Sequence, residues 1–430
     1  MKLIDRINSK DARLCVIGLG YVGLPLLVEY ASAGFTVVGI DVDTSKVDSV
    51  NAGRSYVKDV DAGALSAVVK DGTLRATTDF SVLADADTVN ICVPTPLRKT
   101  RDPDISYIVD AVEKIAEHLH KGQLVVLEST TYPGTTEEVI LPILQRVGLK
   151  VGTDFFLAFS PERVDPGNPD YNTKTIPKVV GGITPACTEV ASALYKATLS
   201  TTVTVGSAKV AETVKLLENT FRSVNIGLVN EMALMCDKMG IDVWEVIDAA
   251  ATKPFGFMPF FPGPGLGGHC IPIDPFYLSW KARLSGFEAR FIELAGQING
   301  SMPEYVVSKI AEALNTQKKS VNGARVLILG VAYKADIDDI RESPALDVIR
   351  LLKQKGAEVV YHDPVVEDNP ELEQTPRVEL TRESLSGCDC AAIITGHSGV
   401  DYEFVVEQIP ALIDTRNVLK GHRSPKIVRL

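Results

Sequence analysis

The sequence has no unbroken apolar segment long enough to cross a bilayer. Its most apolar stretch, residues 14–40, is interrupted by five glycines and by Glu29, whereas a spanning helix needs about 20 predominantly apolar residues. The first residues, MKLIDRINSKDAR, are charged and lack the apolar core of a secretory signal. We therefore expect no membrane partner.

Cysteine is infrequent, and basic residues are outnumbered by acidic ones, 44 to 55. The 430 residues include seven cysteines, an odd number without framework spacing, which favours a reducing cytoplasm over a secreted, disulfide-stapled protein. The net charge is −11, so nothing overall offsets repulsion from a phosphate backbone, and no nucleic-acid partner is expected. An anionic small ligand is compatible with this charge, because it needs only a local cluster of cationic and N–H groups.

Apolar runs of strand length alternate with stretches of helix length in the first half of the chain. The runs are residues 14–17, 36–40, 88–93, 124–127 and 155–159. This alternation is typical of a parallel sheet with helices on both faces. It returns after residue 320 with RVLILG, a predicted helix over 343–355, AEVVYHDP, CDCAAIIT and ALIDT.

A glycine turn follows the first predicted strand. Gly18, Gly20 and Gly23 form G-x-G-x-x-G, which permits a tight turn, close approach to a pyrophosphate and close helix–strand packing. Asp41 ends the second predicted strand, where its carboxylate can accept hydrogen bonds from ribose hydroxyls and repel a 2′-phosphate. The turn predicts a dinucleotide site that prefers NAD to NADP. FAD is the weaker alternative, since nothing else in the sequence is flavin-specific.

These patterns predict an α/β fold with two Rossmann-like parallel-sheet domains joined by a long central helix. Residues 207–239 contain no proline and carry apolar residues at helical spacing, which predicts that helix and a dimer surface. The predicted domains are 1–206, which binds NAD; 207–320, which is helical and carries a glycine-rich loop; and 321–430, which repeats the sheet pattern.

The third predicted domain repeats the glycine turn of the first with a longer loop. Gly330 precedes Asp363 by 33 residues, whereas the distance from Gly18 to Asp41 is 23. The insertion of about ten residues, VAYKADIDDIRES, carries Lys334.

Cys270 lies in the motif GPGLGGHCIPIDP. The glycines before it allow close approach of the backbone to a ligand, and Asp274 is placed to cap the helix that follows. A lone cysteine is more often a small buried hydrophobe. That is our interpretation of the cysteines in apolar runs, Cys15, Cys92, Cys187 and Cys236. Cys270 differs because a glycine-lined loop leads to it, and we predict that it is a nucleophile.

Lys215 and Asn219 lie four residues apart on the predicted long helix and so share one face. A solvated surface pair is the plainer interpretation. The neighbouring Leu216, Leu217 and Phe221 favour instead a partly buried lysine suited to proton transfer.

No metal site is predicted. His269 beside Cys270 has no further ligands at recognisable spacing. Cys388 and Cys390 open an apolar run in which alternate residues share a face, so a core role is favoured over zinc.

Longer motifs run along nearly the whole chain. In chain order they are GLGYVGLP, VPTP, ESTTYPGT, SPERVDPG, KLLENTFR, GPGLGGHCIPIDP and GVAYKADIDDIRESPA. With them the chain resembles the UDP-glucose/GDP-mannose dehydrogenase family. The resemblance implies an N-terminal NAD domain, a helical middle that forms a homodimer, and a C-terminal domain that holds the UDP-sugar. It also implies NAD-dependent, four-electron oxidation of the sugar's C6 alcohol to a carboxylate.

The resemblance also implies roles for individual residues. It places the nucleophile at Cys270, an oxyanion-stabilising pair at Lys215 and Asn219, water activation at Asp274, and a further catalytic carboxylate at Glu162. The other implied substrate contacts are Arg163, Val164, Arg222, Lys253, Tyr333 and Lys334. The implied cofactor contacts are Gly18, Gly20, Tyr21, Val22, Gly23, Asp41, Lys46, Thr95, Thr130 and Arg341.

The form of the cysteine motif implies a branch within the family. GLGGHCIPIDP, rather than GFGGSC, is similar to enzymes acting on UDP-N-acetylhexosamines for polysaccharide or O-antigen synthesis. The glucose branch has an acidic residue in place of Pro166 and an arginine in place of Pro254. We expect UDP-N-acetylglucosamine as substrate, with UDP-N-acetylmannosamine, UDP-N-acetylgalactosamine and UDP-glucose as alternatives. The displaced proline of TTYPG leaves Thr131 as an alternative to Thr130.

Two other classes of protein share part of this pattern. A two-electron 3-hydroxyacid dehydrogenase would have the dinucleotide turn, the long helix and Lys-x-x-x-Asn, but it needs neither a thiol nor a second nucleotide-holding domain. A non-catalytic sensor of NAD or nucleotide sugars would have lost Cys270, Lys215 or Asn219, and all three are present.

Overall fold

The computed structural model describes residues 2–57, 60–97, 103–164, 170–171, 173–268, 271–367 and 369–430. The chain divides into two compact units. The first comprises Met1–Glu218 and Trp280–Gly286, and the second Asn219–Ser279 and Phe287–Leu430. The three predicted domain boundaries stay a prediction.

The first unit contains a sheet of eight strands, counted over the described residues. They are β1 (Arg13–Ile17), β2 (Thr36–Ile40), β3 (Leu74–Thr77), β4 (Thr88–Ile91), β5 (Leu124–Leu127), β6 (Phe156–Phe159), β7 (Lys178–Gly182) and β8 (Thr202–Thr204). Their order is β3-β2-β1-β4-β5-β6-β7-β8. Neighbours pair in parallel, except β6 and β7, which are antiparallel.

Helices cover both faces of this sheet. They are α1 (Leu3–Asn8), α2 (Gly23–Ser32), α3 (Thr44–Asn51), α4 (Ala62–Lys70), α5 (Ser106–His118), α6 (Leu141–Gln145) and α7 (Pro185–Lys196), with a 3-10 helix at Phe80–Asp85 and a π-helical turn at Thr136–Ile140. Leu14 and Val16 of β1 join the core on one face, and Cys15 and Ile17 join the core on the other. Burial on both faces explains why the strands read as continuous apolar runs.

The long helix α8 (Ala208–Met239) confirms the prediction for residues 207–239; it begins in the first unit and ends in the second. The helices that follow are α9 (Val243–Ala251), α10 (Asp274–Leu284), α11 (Arg290–Thr316), α12 (Pro344–Gln354), α13 (Arg382–Ser386) and α14 (Tyr402–Gln408), with a 3-10 turn at Pro370–Leu372. Over the described residues, no helix combines the length and apolar character needed to cross a membrane.

The second unit contains a five-stranded, all-parallel sheet in its described part. The strands are β9 (Arg325–Leu329), β10 (Glu358–His362), β11 (Cys390–Ile393), β12 (Leu412–Asp414) and β13 (Ile427–Arg429). Their order is β10-β9-β11-β12-β13. The predicted α/β fold with two Rossmann-like parallel-sheet domains and a helical centre is therefore confirmed.

Candidate active site

The glycine turn after β1 has no room for side chains at two of its three glycines. Gly18 has φ +91°, and a Cβ there would lie 2.4 Å from the carbonyl oxygen of Cys92. A Cβ on Gly23 would lie 1.8 Å from the carbonyl oxygen of Gly18, whereas Gly20 faces open space. Helix α2 begins at Gly23 without a side-chain cap, so its first N–H groups can bind a phosphate.

Asp41 is fixed directly after β2 and is 7% exposed. Its carboxylate accepts the N–H of Leu19 at 2.8 Å and that of Asp43 at 2.9 Å, and Lys46 Nζ lies 3.5 Å away. The hydroxyl of Tyr56, which the sequence motifs do not indicate, donates to the carbonyl of Leu19 at 2.6 Å. The open face at Gly20, the uncapped helix and the fixed carboxylate together fit a dinucleotide.

The remaining predicted cofactor residues of the first unit are at least partly accessible. They are Tyr21, Val22, Thr95 and Thr130. Thr131, the alternative to Thr130, is 1% exposed, and its hydroxyl lies 2.6 Å from that of Thr135. This geometry favours Thr130 as the hydroxyl available to a ligand.

Lys215 is buried, with 8% of its surface exposed, and its ammonium donates to the carbonyl oxygen of Glu162 at 2.6 Å. This burial favours the interpretation of Lys215 as a buried lysine suited to proton transfer over that of a solvated surface residue. The Glu162 carboxylate accepts the N–H groups of Arg163 at 2.7 Å and Val164 at 2.8 Å. The Arg163 guanidinium itself binds both carboxylate oxygens of Glu218, at 2.6 and 3.1 Å.

A buried lysine that the sequence analysis missed holds Glu162 from the other side. Lys178 Nζ lies 3.1 Å from Glu162 Oε2 and 2.6 Å from Glu128 Oε2. Burial alone would raise the pKa of Glu162, but the charge and hydrogen bond of Lys178 hold it below its ordinary value. No motif surrounds Lys178, so only its distant partners reveal it.

In the second unit, the Asn219 amide donates to Asp274 Oδ2 at 2.5 Å. Asp274 is 2% exposed and is the first residue of α10 rather than the residue before it. The expected cap position was therefore off by one residue. Cys270, the predicted nucleophile, and His269 lie outside the described residues.

The glycine segment that leads towards Cys270 packs on the loop after β9. A Cβ on Gly267 would lie 2.5 Å from the Cβ of Tyr333, and the N–H of Gly268 donates to the carbonyl of Arg341 at 3.0 Å. Gly268 has φ +84°, which a glycine adopts without strain. The predicted nucleotide-sugar contact Tyr333 and the cysteine motif are thus brought together within one unit.

Three domain models of one protein family match consecutive segments of the chain. Residues 12–199 match the NAD binding domain of the UDP-glucose/GDP-mannose dehydrogenase family, residues 209–301 its central domain, and residues 327–421 its UDP binding domain. The chain belongs to the UDP-glucose/GDP-mannose dehydrogenase family. It is a nucleotide-sugar dehydrogenase, and its cofactor is NAD.

Individual relatives of this dehydrogenase carry different sugar names. The chain is 39% identical to UDP-N-acetyl-D-glucosamine 6-dehydrogenase of Pseudomonas aeruginosa, over 83% of this chain and 84% of that one. It is 35% identical to NDP-N-acetyl-D-galactosaminuronic acid dehydrogenase of Ralstonia nicotianae, over 98% and 99%. The solved structure of UDP-D-ManNAc dehydrogenase from Pyrococcus horikoshii matches with a TM-score of 0.90 at 34% identity, over 97% and 98%.

Three predicted cations of this dehydrogenase differ in their surroundings. Arg341 is exposed, and its guanidinium binds the Asp339 carboxylate at 2.5 to 3.0 Å. Arg222 and Lys253 are exposed, and Lys253 lies over the Phe255 ring at 5.2 Å. Pro166 lies outside the described residues.

Arg416 is a further candidate that the sequence analysis missed. It follows β12 and is partly buried, and a Cβ on Gly263 would lie 2.5 Å from its Nη1. Its Nε donates to the carbonyl of Ile394 at 3.0 Å, and no ion pair joins it to a carboxylate among the described residues. Burial lowers its pKa to about 10. A guanidinium in such surroundings suits a phosphate oxygen.

Proposed function

We propose that this chain oxidises the C6 alcohol of a UDP-N-acetylhexosamine, UDP-N-acetylglucosamine first among them, to the uronic acid, with Cys270 as covalent nucleophile. The 39% identity to a UDP-N-acetyl-D-glucosamine 6-dehydrogenase supports this sugar. The motif GLGGHCIPIDP and the prolines at 166 and 254 support an acetamido sugar over glucose.

The observation that carries the proposal is the environment of the segment leading towards Cys270. An amide donor, Asn219, is bonded to a buried carboxylate, Asp274, and the glycines before the cysteine pack on Tyr333. An amide donor suits a developing oxyanion, and a buried carboxylate suits activation of water. A two-electron dehydrogenase would need neither the thiol nor this second unit.

The proposed mechanism assigns each step to a residue of the chain. The chemistry that NAD supplies when bound is acceptance of a hydride from C6, twice per sugar. Water held by Asp274, or Lys215 in its neutral amine form, takes the C6 hydroxyl proton in the first oxidation, and a Lys215 that has taken it becomes the ammonium that serves the next step. The Cys270 thiolate adds to the aldehyde, and Lys215 and Asn219 stabilise the thiohemiacetal oxyanion. The second oxidation leaves a thioester on Cys270, which water activated by Asp274 hydrolyses to the acid and the thiol.

A panel of UDP-sugars tests the choice of substrate. We expect UDP-N-acetylglucosamine to give the highest kcat/KM among UDP-N-acetylglucosamine, UDP-N-acetylmannosamine, UDP-N-acetylgalactosamine and UDP-glucose. Two NADH should form per sugar, without release of free aldehyde. A higher kcat/KM with UDP-glucose or a GDP-sugar would overturn the assignment to the acetamido-sugar branch.

Replacing the thiol tests the covalent step. Cys270→Ala should lower turnover by several orders of magnitude while binding of NAD and UDP-sugar persists. Cys388→Ala is the matched control, because burial raises the pKa of that thiol and it lies in the core of the same unit. Mass spectrometry should find the trapped sugar on the Cys270 peptide. Uronic acid formation by Cys270→Ala at a near-normal rate would refute the mechanism.

We also propose that the second unit forms a homodimer through its helices. Leu228, Met235 and Met239 of α8 are exposed at helical spacing, as are Phe291 and Leu294 of α11. Apolar patches of this kind are typical of protein interfaces. Light scattering should give twice the chain mass for wild type, and Phe291→Glu should lower it. A monomeric wild type at micromolar concentration would contradict the proposal.

A further inference from the structure

One lysine of the first unit is buried between two carboxylates. Lys178 opens β7, and its side chain is 6% exposed. Its ammonium lies 2.6 Å from Glu128 Oε2 and 3.1 Å from Glu162 Oε2. Buried ammonium groups are retained only where partners compensate the lost hydration. The two carboxylates compensate Lys178, but they are not equivalent.

Glu128 is the fixed partner. It follows β5, its side chain has no exposed surface, and its Oε1 accepts the Tyr195 hydroxyl at 2.6 Å and the Asn90 amide at 2.7 Å. Burial raises the pKa of Tyr195, and the Glu128 charge raises it further, so the phenol remains a donor. With the ammonium on its other oxygen, Glu128 has a donor on each side and anchors Lys178.

Glu162 is the partner at the site. Its Oε2 faces Lys178, while its Oε1 accepts the N–H groups of Arg163 and Val164. These two bonds tie the carboxylate to the backbone that directly follows Glu162. The carbonyl of Glu162, which belongs to the same backbone segment, accepts the Lys215 ammonium at 2.6 Å. The position of the acceptor for Lys215 therefore depends on the Glu162 carboxylate, which Lys178 holds.

We propose that Lys178 is a positioning residue of the oxidation: it fixes the Glu162 carboxylate, and through the hydrogen bonds of that carboxylate to the backbone of residues 163 and 164 it places the Glu162 carbonyl that orients Lys215. The inference rests on the proposed role of Lys215 in handling the C6 oxygen. Lys178 acts through Glu162 and Lys215, and it is fixed from behind by Glu128.

The charged groups around Glu162 predict how its ionisation responds to loss of Lys178. Lys178 faces it from β7 and Lys215 from α8. Glu128 after β5 shares the Lys178 ammonium with it, and the buried Cys92 after β4 interacts electrostatically with Lys178 and with both carboxylates. The Arg163 guanidinium is paired with Glu218 instead. Without Lys178, burial would raise the pKa of Glu162. If activity needs the ionised form, the acid limb of the pH–rate profile moves to higher pH.

The variants are chosen so that a folding defect cannot imitate the effect. Lys178→Met alone leaves Glu128 buried and uncompensated, so the main variant is Lys178→Met with Glu128→Gln. The glutamine keeps an oxygen for the Tyr195 and Asn90 donors.

The matched control is a second buried lysine. Lys309 in α11 has an 8% exposed side chain and lies 2.6 Å from Asp237, in the second unit. The control variant, Lys309→Met with Asp237→Asn, removes a comparable pair away from Glu162.

Two readouts are measured for both double variants after thermal melts confirm folding. The first is the pH profile of kcat and KM with UDP-N-acetylglucosamine and NAD. For the Lys178 variant we expect kcat to fall on the order of 10- to 100-fold, its acid limb to move to higher pH, and KM for NAD to stay within about threefold. The Lys309 control should keep the wild-type kcat and pH profile.

The second readout does not need turnover. Acetylation of Lys215 by a water-soluble reagent, followed by peptide mass spectrometry, should be slow in wild type and in the control but faster in the Lys178 variant. Unchanged kcat, pH profile and Lys215 labelling in a folded Lys178 variant would overturn the proposal. If wild type oxidises no UDP-sugar, the proposed function fails instead, and the Lys215 labelling alone decides the positioning role.

Discussion

Gly18 and Gly330 occupy equivalent places in the two units. Each follows the first strand of its glycine-turn motif, with φ of +91° and +80°, and a Cβ on either would collide with a backbone carbonyl. The amide of Gly18 donates to Ile40 at 2.8 Å, and that of Gly330 donates to His362 at 2.9 Å. The backbone of the two turns is therefore built in the same way.

The acidic residues that follow them are used differently. Asp41 accepts two backbone N–H groups, and a carboxylate has about four lone-pair sites, so it can still accept ribose hydroxyls. Asp363 has no exposed surface and lies 3.0 Å from His397 Nε2. It also accepts the backbone N–H groups of Val331, Ala332, Val365 and Val366.

The following helices differ as well. Helix α2 begins at Gly23, directly after the first turn, whereas α12 begins at Pro344, beyond the longer loop of the second unit. One motif therefore leaves a helix N-terminus and a carboxylate beside the turn, where we propose that NAD binds. In the other motif, the Asp363 carboxylate binds the backbone at the start of the loop that carries Tyr333 and Lys334.

Replacing Gly18 or Gly330 with alanine is expected to give the largest effects, and the two variants should differ in NAD binding. A Cβ at residue 18 would lie 2.4 Å from the carbonyl of Cys92, and one at residue 330 would lie 2.3 Å from that of Thr395. Gly18→Ala should lower kcat/KM for NAD on the order of 100-fold, because strain and overpacking together cost about 3 kcal/mol. Both variants should lower Tm, because each added Cβ collides with a backbone carbonyl. Gly330→Ala should nevertheless leave the Kd for NAD within about threefold. Equal loss of NAD affinity in both variants would contradict the comparison.

Replacing Asp363 and Asp41 with asparagine should separate the effect on stability from the effect on cofactor choice. Asp363→Asn should lower the free energy of unfolding by about 2 to 4 kcal/mol, because its amide group would face backbone N–H donors. Asp41→Asn should lower it by a smaller amount, about 1 to 2 kcal/mol, because one of two rather than of four backbone N–H contacts is disturbed. It should also raise kcat/KM for NADP relative to NAD. Urea unfolding and steady-state kinetics measure the two effects. A larger stability loss at Asp41 would reverse our assignment of the two carboxylates.

Acid unfolding should also show the stabilising role of the Asp363 carboxylate, with a smaller effect than the asparagine substitutions. Burial alone would raise the pKa of Asp363, but His397 and the backbone N–H groups hold it well below its ordinary value. A depressed pKa stabilises the fold above the unfolded pKa near 3.9, and that stabilisation is lost as pH falls below it. Between roughly pH 5 and pH 2 the unfolding free energy should therefore decline less in Asp363→Asn than in wild type. Parallel declines would show that Asp363 is not the group responsible.

The smallest effect is expected at Lys46. Its ammonium lies 3.5 Å from Asp41, and its side chain is 36% exposed, so the ion pair contributes at most about 0.5 kcal/mol. Lys46→Met should leave Tm within about 2 °C and raise KM for NAD by a few-fold. A large drop in Tm would mean that the pair supports the turn rather than the cofactor.

Elements with a strong local pattern could be predicted from the sequence. Strands β1, β2, β4, β5 and β6, and helix α8, lie within two residues of their predicted bounds, because buried runs and helical periodicity are properties of neighbouring residues. Strands β3, β7, β8 and β13 were missed. They have three to five residues, and sequences such as LRAT, KVVGG and TVT carry no clear periodicity.

The predicted site residues show the same division. The glycine turn, Asp41 and the Lys215–Asn219 spacing are local patterns and could be recognised along the chain. Lys178 could not, because its partner Glu128 lies 50 residues earlier. The two meet only at one edge of the sheet, where β5 ends and the strand β7 begins, with β6 between them. Arg416 was missed for the same reason, since Gly263 is far from it in the chain.

The sequence by itself determined the α/β fold, the glycine turn with its acidic residue, and the family, because each is encoded in residues close together or in motifs of fixed order. Tertiary structure alone decided which carboxylates remain available. Asp41 and Asp363 follow equivalent strands, yet only folding brings His397 and four backbone N–H groups to Asp363. The physical reason is that lone pairs, burial and charge compensation depend on partners that distant parts of the chain supply.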